Sequence, residues 1–350
     1  MFDWEKIVIK SNDSLEHAIK VLQRGGCRIT LVVDGHKKLL GTVTDGDIRR
    51  ALLSGKNMIN RISDVMNKSP VTAKKIDSRE HIISLMKDMS ILHIPIIDDA
   101  GVLCGLETLM LFHEKTSYDN PVFLMAGGTG KRLRPLTKNT PKPLLEVGKK
   151  PLLETIIEQF IDHGFHDFYI STHFKSELIR NYFKDGNQHG VSIRYIHEDT
   201  PLGTAGSLGL LPDTLPDLPI IMMNGDLLTK VDFNHLLDFH ESNHADATMC
   251  IREYDFQVPY GVVTIDGYSV KEIKEKPIYN FFVNAGIYVL NKNLIHKVDG
   301  ESYLDITDFL EKELDNRNVN AFPIHEYWLD IGQIEEYEKA NQDVITIFKK

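Results

Sequence analysis

Residues 122–135 read VFLMAGGTGKRLRP. Four apolar residues running straight into a glycine cluster describe a buried strand that ends in a tight turn. Backbone N–H groups in such a turn can approach phosphate oxygens closely. Lys131, Arg132 and Arg134 add fixed positive charge. Two well-known phosphate loops do not fit. A P-loop needs glycine five residues before its final glycine and Ser or Thr after its lysine, but Met125 and Arg132 stand there. A dinucleotide fingerprint needs a third glycine where Leu133 stands. A plain glycine turn is the simpler alternative. Soon after, Pro141 and Pro143 flank Lys142, and two fixed φ angles hold that lysine's backbone stiffly.

Downstream of this stretch, strand and helix patterns alternate. LLETIIEQFIDHG predicts an amphipathic helix, DFYISTHF a strand, SELIRNYFKDG a helix, VSIRYIHE and PIIMMNGD strands, and FNHLLDFHESN a helix. Continuous apolar strands alternating with helices predict an α/β fold with a mostly parallel sheet. In such sheets the site lies beyond the carboxyl ends of the strands, which selects the loops at 126–135 and 224–226.

Upstream, the pattern is a repeat. Residues 31–41 read LVVDGHKKLLG and residues 95–105 read PIIDDAGVLCG, 64 positions apart. Each copy follows a helical stretch, at 14–26 and 79–90, and each predicts a strand, a turn and a second strand. A polar stretch over 113–121 reads as a linker.

Composition narrows the class. The 350 residues are 42% hydrophobic and 26% charged with a net charge of −10, which suits a globular protein and argues against nucleic acid or an anionic membrane as the main partner. The three cysteines, Cys27, Cys104 and Cys250, are far apart, so neither a disulfide framework nor a thiolate zinc site is expected. The acidic N-terminus and the lack of a long apolar run predict a cytoplasmic protein. One decoy is His240-Glu241-Ser242-Asn243-His244, an HExxH match. Asn243 falls where the helix should stop, so zinc protease chemistry is not expected.

GGTGKRLRPLT followed by PKPLLEVGKKP resembles the signature of the sugar-1-phosphate nucleotidyltransferases. Further matching segments are PLGTAGS (201–207), NGD (224–226), YGVV (260–263), EKP (275–277), NAGIY (284–288) and WLDIG (328–332). The resemblance implies a Rossmann-like, GT-A-like domain over 121–350. It implies the reaction of a nucleoside triphosphate with a sugar 1-phosphate to give a nucleotide-sugar and pyrophosphate. The attacking phosphate oxygen is already anionic at neutral pH, so positioning and charge neutralisation carry the chemistry. By this resemblance Arg132, Lys142 and Asp226 are catalytic, and Asp226 with Asp330 holds Mg²⁺. A turn aspartate and a helix N-cap are the simpler readings of those two carboxylates. The nucleotide site would comprise Ala126, Gly127, Gly128, Thr129, Gly130, Glu198, Gly203, Thr204 and Ala205. Gly261, Glu275, Lys276 and Asn284 would hold the sugar phosphate. A carboxylate at Glu198 can accept the two adjacent N–H groups of guanine and meets the carbonyls of uracil or thymine unfavourably, which leans towards GTP. Glu198 pointing to solvent is the alternative.

Gly41 to Arg50, with the repeat around it, resembles a CBS-domain pair, with domains over 3–60 and 61–117. The resemblance implies an adenine or guanine nucleotide held by Thr44 and Asp47, regulation by that nucleotide, and a homo-oligomer. The second copy keeps Thr108 but has Leu111 at the position equivalent to Asp47. Capping of the following helix is the simpler role for Asp47. The order of the two parts is similar to bacterial guanylyltransferases that make GDP-glucosamine from glucosamine 1-phosphate on the way to legionaminic acid. Mannose-1-phosphate guanylyltransferase is the nearest alternative, followed by thymidylyl- and uridylyltransferases acting on glucose 1-phosphate. A non-catalytic regulatory subunit is the alternative of a different class.

Overall fold

The structure is a computed structural model that describes residues 3–109 and 117–348. Leu111 and residues 113–116 of the expected linker lie outside the described residues. The chain forms two compact units, Met1–Glu114 and Lys115–Lys350.

The first unit realises the repeat twice. Its first copy runs through β1 (Val8–Lys10), α1 (Leu15–Gly25), β2 (Ile29–Val33), β3 (Leu39–Thr44) and α2 (Asp45–Leu53). Its second runs through β4 (Ala73–Lys74), α3 (Arg79–Asp88), β5 (His93–Ile97) and β6 (Leu103–Thr108). Each copy makes a three-stranded sheet with one parallel and one antiparallel pair. Both hairpins carry a register break at equivalent places, Val32/Val33 and Ile96/Ile97. The two turns meet symmetrically. Leu39 N–H donates to Gly101 O (3.0 Å) and Leu103 N–H to Lys37 O (2.9 Å), a reciprocal pair of bonds between positions one repeat apart. Leu31, Val43 and Ile48 are fully buried in the first copy, and Met86 and Ile94 in the second.

The second unit is built on a seven-stranded sheet. Its elements begin with β7 (Val122–Met125), a small ribbon β8 (Glu146–Val147) and β9 (Lys150–Pro151), α4 (Leu152–Asp162), β10 (Asp167–Thr172), α5 (Ser176–Phe183) and β11 (Ser192–His197). They continue with α6 (Gly203–Gly206), β12 (Ile220–Asn224), β13 (Leu227–Thr229), α7 (Phe233–Ser242), β14 (Ala247–Gln257), the hairpin β15 (Val262–Asp266) and β16 (Ser269–Lys274), and β17 (Ile278–Leu290). The last are α8 (Lys292–Ile295), α9 (Ile306–Glu313), β18 (Val319–Ile324), β19 (Trp328–Asp330) and α10 (Ile334–Ile347).

The sheet order is β11-β10-β7-β12-β17-β14-β18. The first four strands are mutually parallel, β17 is antiparallel to both neighbours, and β18 is parallel to β14. From β7 the chain steps outward through β10 to β11, then crosses back to place β12 on the other side of β7. That reversal opens a crevice at the carboxyl ends of β7 and β12, where Met125 pairs with Asn224. The sheet is closed by aromatic packing on one face: Phe160 of α4 stacks on Phe233 of α7 at 3.8 Å between centroids and meets Phe165 and Phe168 edge-on. Phe160 and Phe233 are fully buried, so truncating Phe160 to alanine costs about 3–5 kcal/mol.

Candidate active site

The glycine loop leaves β7 inside the sheet, between β10 and β12. Ala126 N–H donates to Ser171 O and Gly225 N–H to Met125 O, both at 2.9 Å, so the strand end is tied to a neighbour on each side. Gly130 adopts φ +61°, and a Cβ there would lie 2.8 Å from Thr137 Cγ2; only glycine fits both constraints. Thr137 Oγ1 donates back to Gly130 O (2.7 Å). The buried Leu133 anchors the loop, leaving Lys131, Arg132 and Arg134 exposed at its rim.

Lys142, Asp226 and Asp330 come from three separate segments and converge. Lys142 Nζ lies 2.5 Å from Asp226 Oδ2, with only a tenth of the lysine side chain exposed. Asp226 follows β12, and Asp330 ends β19, which pairs with β13 so that Leu227 faces Asp330. Ile331 N–H donates to Asp226 O (3.0 Å). Asp226 Oδ1 and Asp330 Oδ1 are both buried without a hydrogen-bond partner. Burial first, and then the Asp226 charge, push the Asp330 carboxyl above the usual carboxylate range, while Lys142 and Arg132 oppose the shift. The Arg132 guanidinium lies 3.3 Å from where a Cβ on Gly332 would stand, next to the Asp330 strand end. Two adjacent carboxylates with orphaned oxygens are what a hard divalent cation would satisfy. Asp330 is not a helix cap: Gln333 caps α10 in a capping box with Glu336.

Beside this cluster lies a cavity of about 470 Å³, lined in part by Gly127, Gly128, Thr129, Glu198, Gly203 and Thr204, and reaching Asp226. Glu198 is buried, not turned to solvent. Its Oε1 accepts from Ser171 Oγ, and its Oε2 accepts from Leu202 N–H at 2.9 Å. A carboxylate has about four lone-pair directions, so acceptor capacity remains. A Cβ on Gly127 would stand 3.1 Å from Glu198 Oε1, so any larger residue there would crowd the carboxylate. The buried Ala205 anchors the far wall: Ala205 and Gly206 N–H both donate to Leu304 O (2.8 and 3.1 Å).

The sequence reading missed Asp305 and Tyr303, which also line the cavity. Asp305 Oδ1 accepts from Thr204 N–H and Oγ1 (both 3.3 Å), and Ile306 N–H donates to Thr204 Oγ1 (2.7 Å). The start of α9 and the start of α6 thereby lock each other. Asp305 before ITDFLEKE is legible as a helix start, but no local signal joins it to a loop a hundred residues earlier.

Gly261, Glu275 and Lys276 stand apart from the cavity lining. Glu275 Oε2 lies 3.0 Å from where a Cβ on Gly261 would stand, so these two are neighbours. Lys276, at φ +45°, follows in the turn between β16 and β17, and all three are exposed. Asn284 is held within β17, accepting from Gly286 N–H (2.9 Å) and exchanging hydrogen bonds with the Tyr288 hydroxyl. His240 of the HExxH match is buried and bonded to Thr248 Oγ1 (2.9 Å) and Asn291 Oδ1 (3.1 Å), while His244 follows the end of α7. His240 is therefore a structural residue.

In the first unit Thr44 and Asp47 form a capping box at the start of α2. Thr44 N–H donates to Asp47 Oδ2 (2.8 Å), and Arg50 Nη2 donates to Asp47 Oδ1 (2.6 Å). Asp47 thus has the capping role that was the simpler of its two readings.

The family model for nucleotidyl transferases matches residues 122–346. The chain belongs to the nucleotidyl transferase family. The CBS domain model matches residues 4–54 and 62–106, giving the nucleotidyltransferase unit an N-terminal CBS pair. A mannose-1-phosphate guanyltransferase of Debaryomyces hansenii is 31% identical over 240 residues, covering 65% of each chain. The chain thus spans just under two thirds of the length of that relative. A D-glycero-alpha-D-manno-heptose 1-phosphate guanylyltransferase of Aneurinibacillus thermoaerophilus is 33% identical over 224 residues, 63% of this chain and 96% of that one. The crystal structure of HddC from Yersinia pseudotuberculosis complexed with GMP-PN superimposes with a TM-score of 0.53 at 27% identity, covering 66% of this chain and all of that one. No helix among the described residues is long and apolar enough to cross a membrane.

Proposed function

We propose that the nucleotidyltransferase unit is a sugar-1-phosphate guanylyltransferase that transfers GMP from GTP to a sugar 1-phosphate and releases pyrophosphate. The observation that carries this is the convergence of Lys142, Asp226 and Asp330 at the mouth of a cavity walled by the glycine loop and Glu198. Asp226 and Asp330 would hold Mg²⁺, which when bound offsets the charge of the triphosphate. The glycine loop would cradle the phosphates through its N–H groups, and Arg132 would bear on the leaving pyrophosphate. Lys142 would follow the charge at the reacting phosphorus. The sugar phosphate oxygen then attacks, the bond to the leaving pyrophosphate breaks, and no proton need be removed first. Gly261, Glu275, Lys276 and Asn284 would receive the sugar phosphate.

Guanine is favoured by the buried Glu198 carboxylate at the cavity wall and by the guanylyltransferase names of the relatives. The order of CBS pair and transferase supports glucosamine 1-phosphate as acceptor, in the direction of legionaminic acid. The relatives' names support a manno-configured sugar instead. The CBS pair would bind an adenine or guanine nucleotide near Thr44 and Asp47 and adjust turnover. Comparing GTP with inosine triphosphate, which lacks the 2-amino group, tests the base assignment. A preference for GTP of tenfold or more that vanishes in Glu198→Gln supports it. Equal use of both by the wild-type chain refutes it.

A further inference from the structure

The cavity beside the Asp226–Asp330 cluster is lined by more than the glycine loop and Glu198. Ser207, Asn224, Tyr303 and Asp305 line it too. Two of these carry buried polar atoms with no hydrogen-bond partner among the described residues. Ser207 is 1% exposed and its Oγ is unpartnered, and so is Asn224 Oδ1. An unmet polar atom in a native interior is costly and calls for an explanation. A ligand that brings the missing partner supplies one. The Asn224 carbonyl can only accept, and so can a phosphate oxygen. The triphosphate therefore cannot satisfy it, and its partner must be an O–H or N–H donor.

Position along the sheet edge says which part of a nucleotide-sugar would bring that donor. In the strand order β11-β10-β7-β12-β17, Glu198 follows β11, the glycine loop follows β7, Asn224 ends β12 and Asn284 lies in β17. Base, phosphates and sugar are joined in the same order. Met222 opposes Tyr288, and both pack in one buried cluster with Ala205 and Leu208, the residues around Ser207. Asn224, two residues past Met222, lies on the same face. A Cβ on Gly286 would stand 2.7 Å from Asn224 Nδ2, so the two are neighbours. The Gly286 N–H and the Tyr288 hydroxyl both donate to Asn284 Oδ1 (2.9 and 2.8 Å). Asn224 thus stands between the phosphate loop and Asn284.

We propose that Asn224 and Ser207 read hydroxyl or amino groups of the acceptor sugar inside the cavity and so select among sugar 1-phosphates. This rests on the guanylyltransferase reading and deepens it. The exposed Glu275 and Lys276 of the hairpin add to recognition of the acceptor and do not supply it alone. Ser207 can donate and accept, and Asn224 accepts. Asp305 adds a carboxylate whose Oδ2 accepts from the Tyr303 hydroxyl (3.1 Å). An acceptor-rich lining gains from a sugar that presents a donor and rejects one that lacks it, because its own atoms then stay unmet.

The test is calorimetric titration of the full-length chain with GDP, GDP-mannose and GDP-glucosamine, beside Asn224→Leu and Ser207→Ala. The quantity read is the affinity for each GDP-sugar relative to GDP. In the wild-type chain at least one sugar nucleotide should bind more tightly than GDP. Each variant should cut that advantage about fivefold, with GDP itself held within twofold. Without ligand, both variants should unfold at or above the wild-type midpoint, since each removes an unmet polar atom. An advantage unchanged in both variants overturns this proposal and leaves the guanylyltransferase reading standing; water then meets those atoms. So does an unchanged advantage with lost Mg²⁺ stabilisation in Asn224→Leu, which assigns the amide to the cation. A wild-type chain that binds no sugar nucleotide more tightly than GDP also overturns it. A wild-type chain that binds none of the three overturns the guanylyltransferase reading, and this proposal with it.

Discussion

Replacing Lys142 with methionine leaves Asp226 and Asp330 facing one another without the ammonium that now sits 2.5 Å from Asp226. Removing one partner of a buried ion pair costs about 3–5 kcal/mol. The Asp226 side chain is 29% exposed, which places the cost near the lower end, about 3 kcal/mol. For a unit of this size, with each kcal/mol worth roughly 2–4 °C, the midpoint should fall by about 6–12 °C. The deficit should be specific to the metal-free protein. Mg²⁺ at a hundred times its dissociation constant contributes about 2.7 kcal/mol, enough to restore most of the loss, since the cation takes over the neutralising role. The double variant Lys142→Met, Asp226→Asn should recover stability without Mg²⁺ and should no longer respond to it. Thermal unfolding with EDTA and with excess MgCl₂ reads all three. A Lys142→Met chain that is as stable as wild type in EDTA, or whose deficit Mg²⁺ leaves unchanged, would refute the cluster as a cation site.

Three further outcomes follow from individual residues. Asp330 has its carboxyl raised by burial and by Asp226, so its charged form is disfavoured in the fold. Metal-free Asp330→Asn should therefore be more stable than wild type at neutral pH. The gap should close as pH falls through the raised pKa towards the ordinary carboxylate range, as pH-dependent calorimetry would show, and saturating Mg²⁺ should reverse the order. Asp47→Ala removes one half of the α2 capping box and should cost about 1 kcal/mol in denaturant unfolding. If Asp47 also serves a ligand, nucleotide binding to the full-length chain by calorimetry should fall at least tenfold. Gly130→Ala forces a Cβ into left-handed backbone and to 2.8 Å from Thr137. It should cost about 1–3 kcal/mol and weaken triphosphate binding in an equilibrium assay, while Gly128→Ala, with open space around it, should be near neutral for stability.

Local patterns carried most of the fold. The apolar run 122–125 and the glycines after it fix β7 and its loop without help from the rest of the chain, and the 64-residue repeat reappears as paired turns at Leu39/Gly101 and Leu103/Lys37. The alternating pattern also led to the mostly parallel sheet, but not to the antiparallel β17 inserted between β12 and β14. That strand is selected by long-range pairing with β12 and β14, to which a window of ten residues is blind. The site was legible where a motif joins chemistry to a turn, as at Lys142 between two prolines and Asp226 after β12. It was not legible where a residue works at a distance. Asp305 looks like any helix cap until α9 is seen against Thr204, and the burial of Glu198 depends on Ser171 and the Leu202 backbone.

Nucleotidyl transfer at the Lys142–Asp226–Asp330 cluster would show itself as pyrophosphate release by the full-length chain with Mg²⁺. GTP, UTP, dTTP, CTP and ATP would each be crossed with the 1-phosphates of glucosamine, N-acetylglucosamine, mannose, glucose and D-glycero-α-D-manno-heptose. The expected result is turnover with GTP and one of the glucosamine, mannose or heptose phosphates, lost by two to three orders of magnitude in Asp226→Asn. Silence across the whole grid from folded protein would contradict the claim and favour a regulatory subunit that binds nucleotides without turning them over.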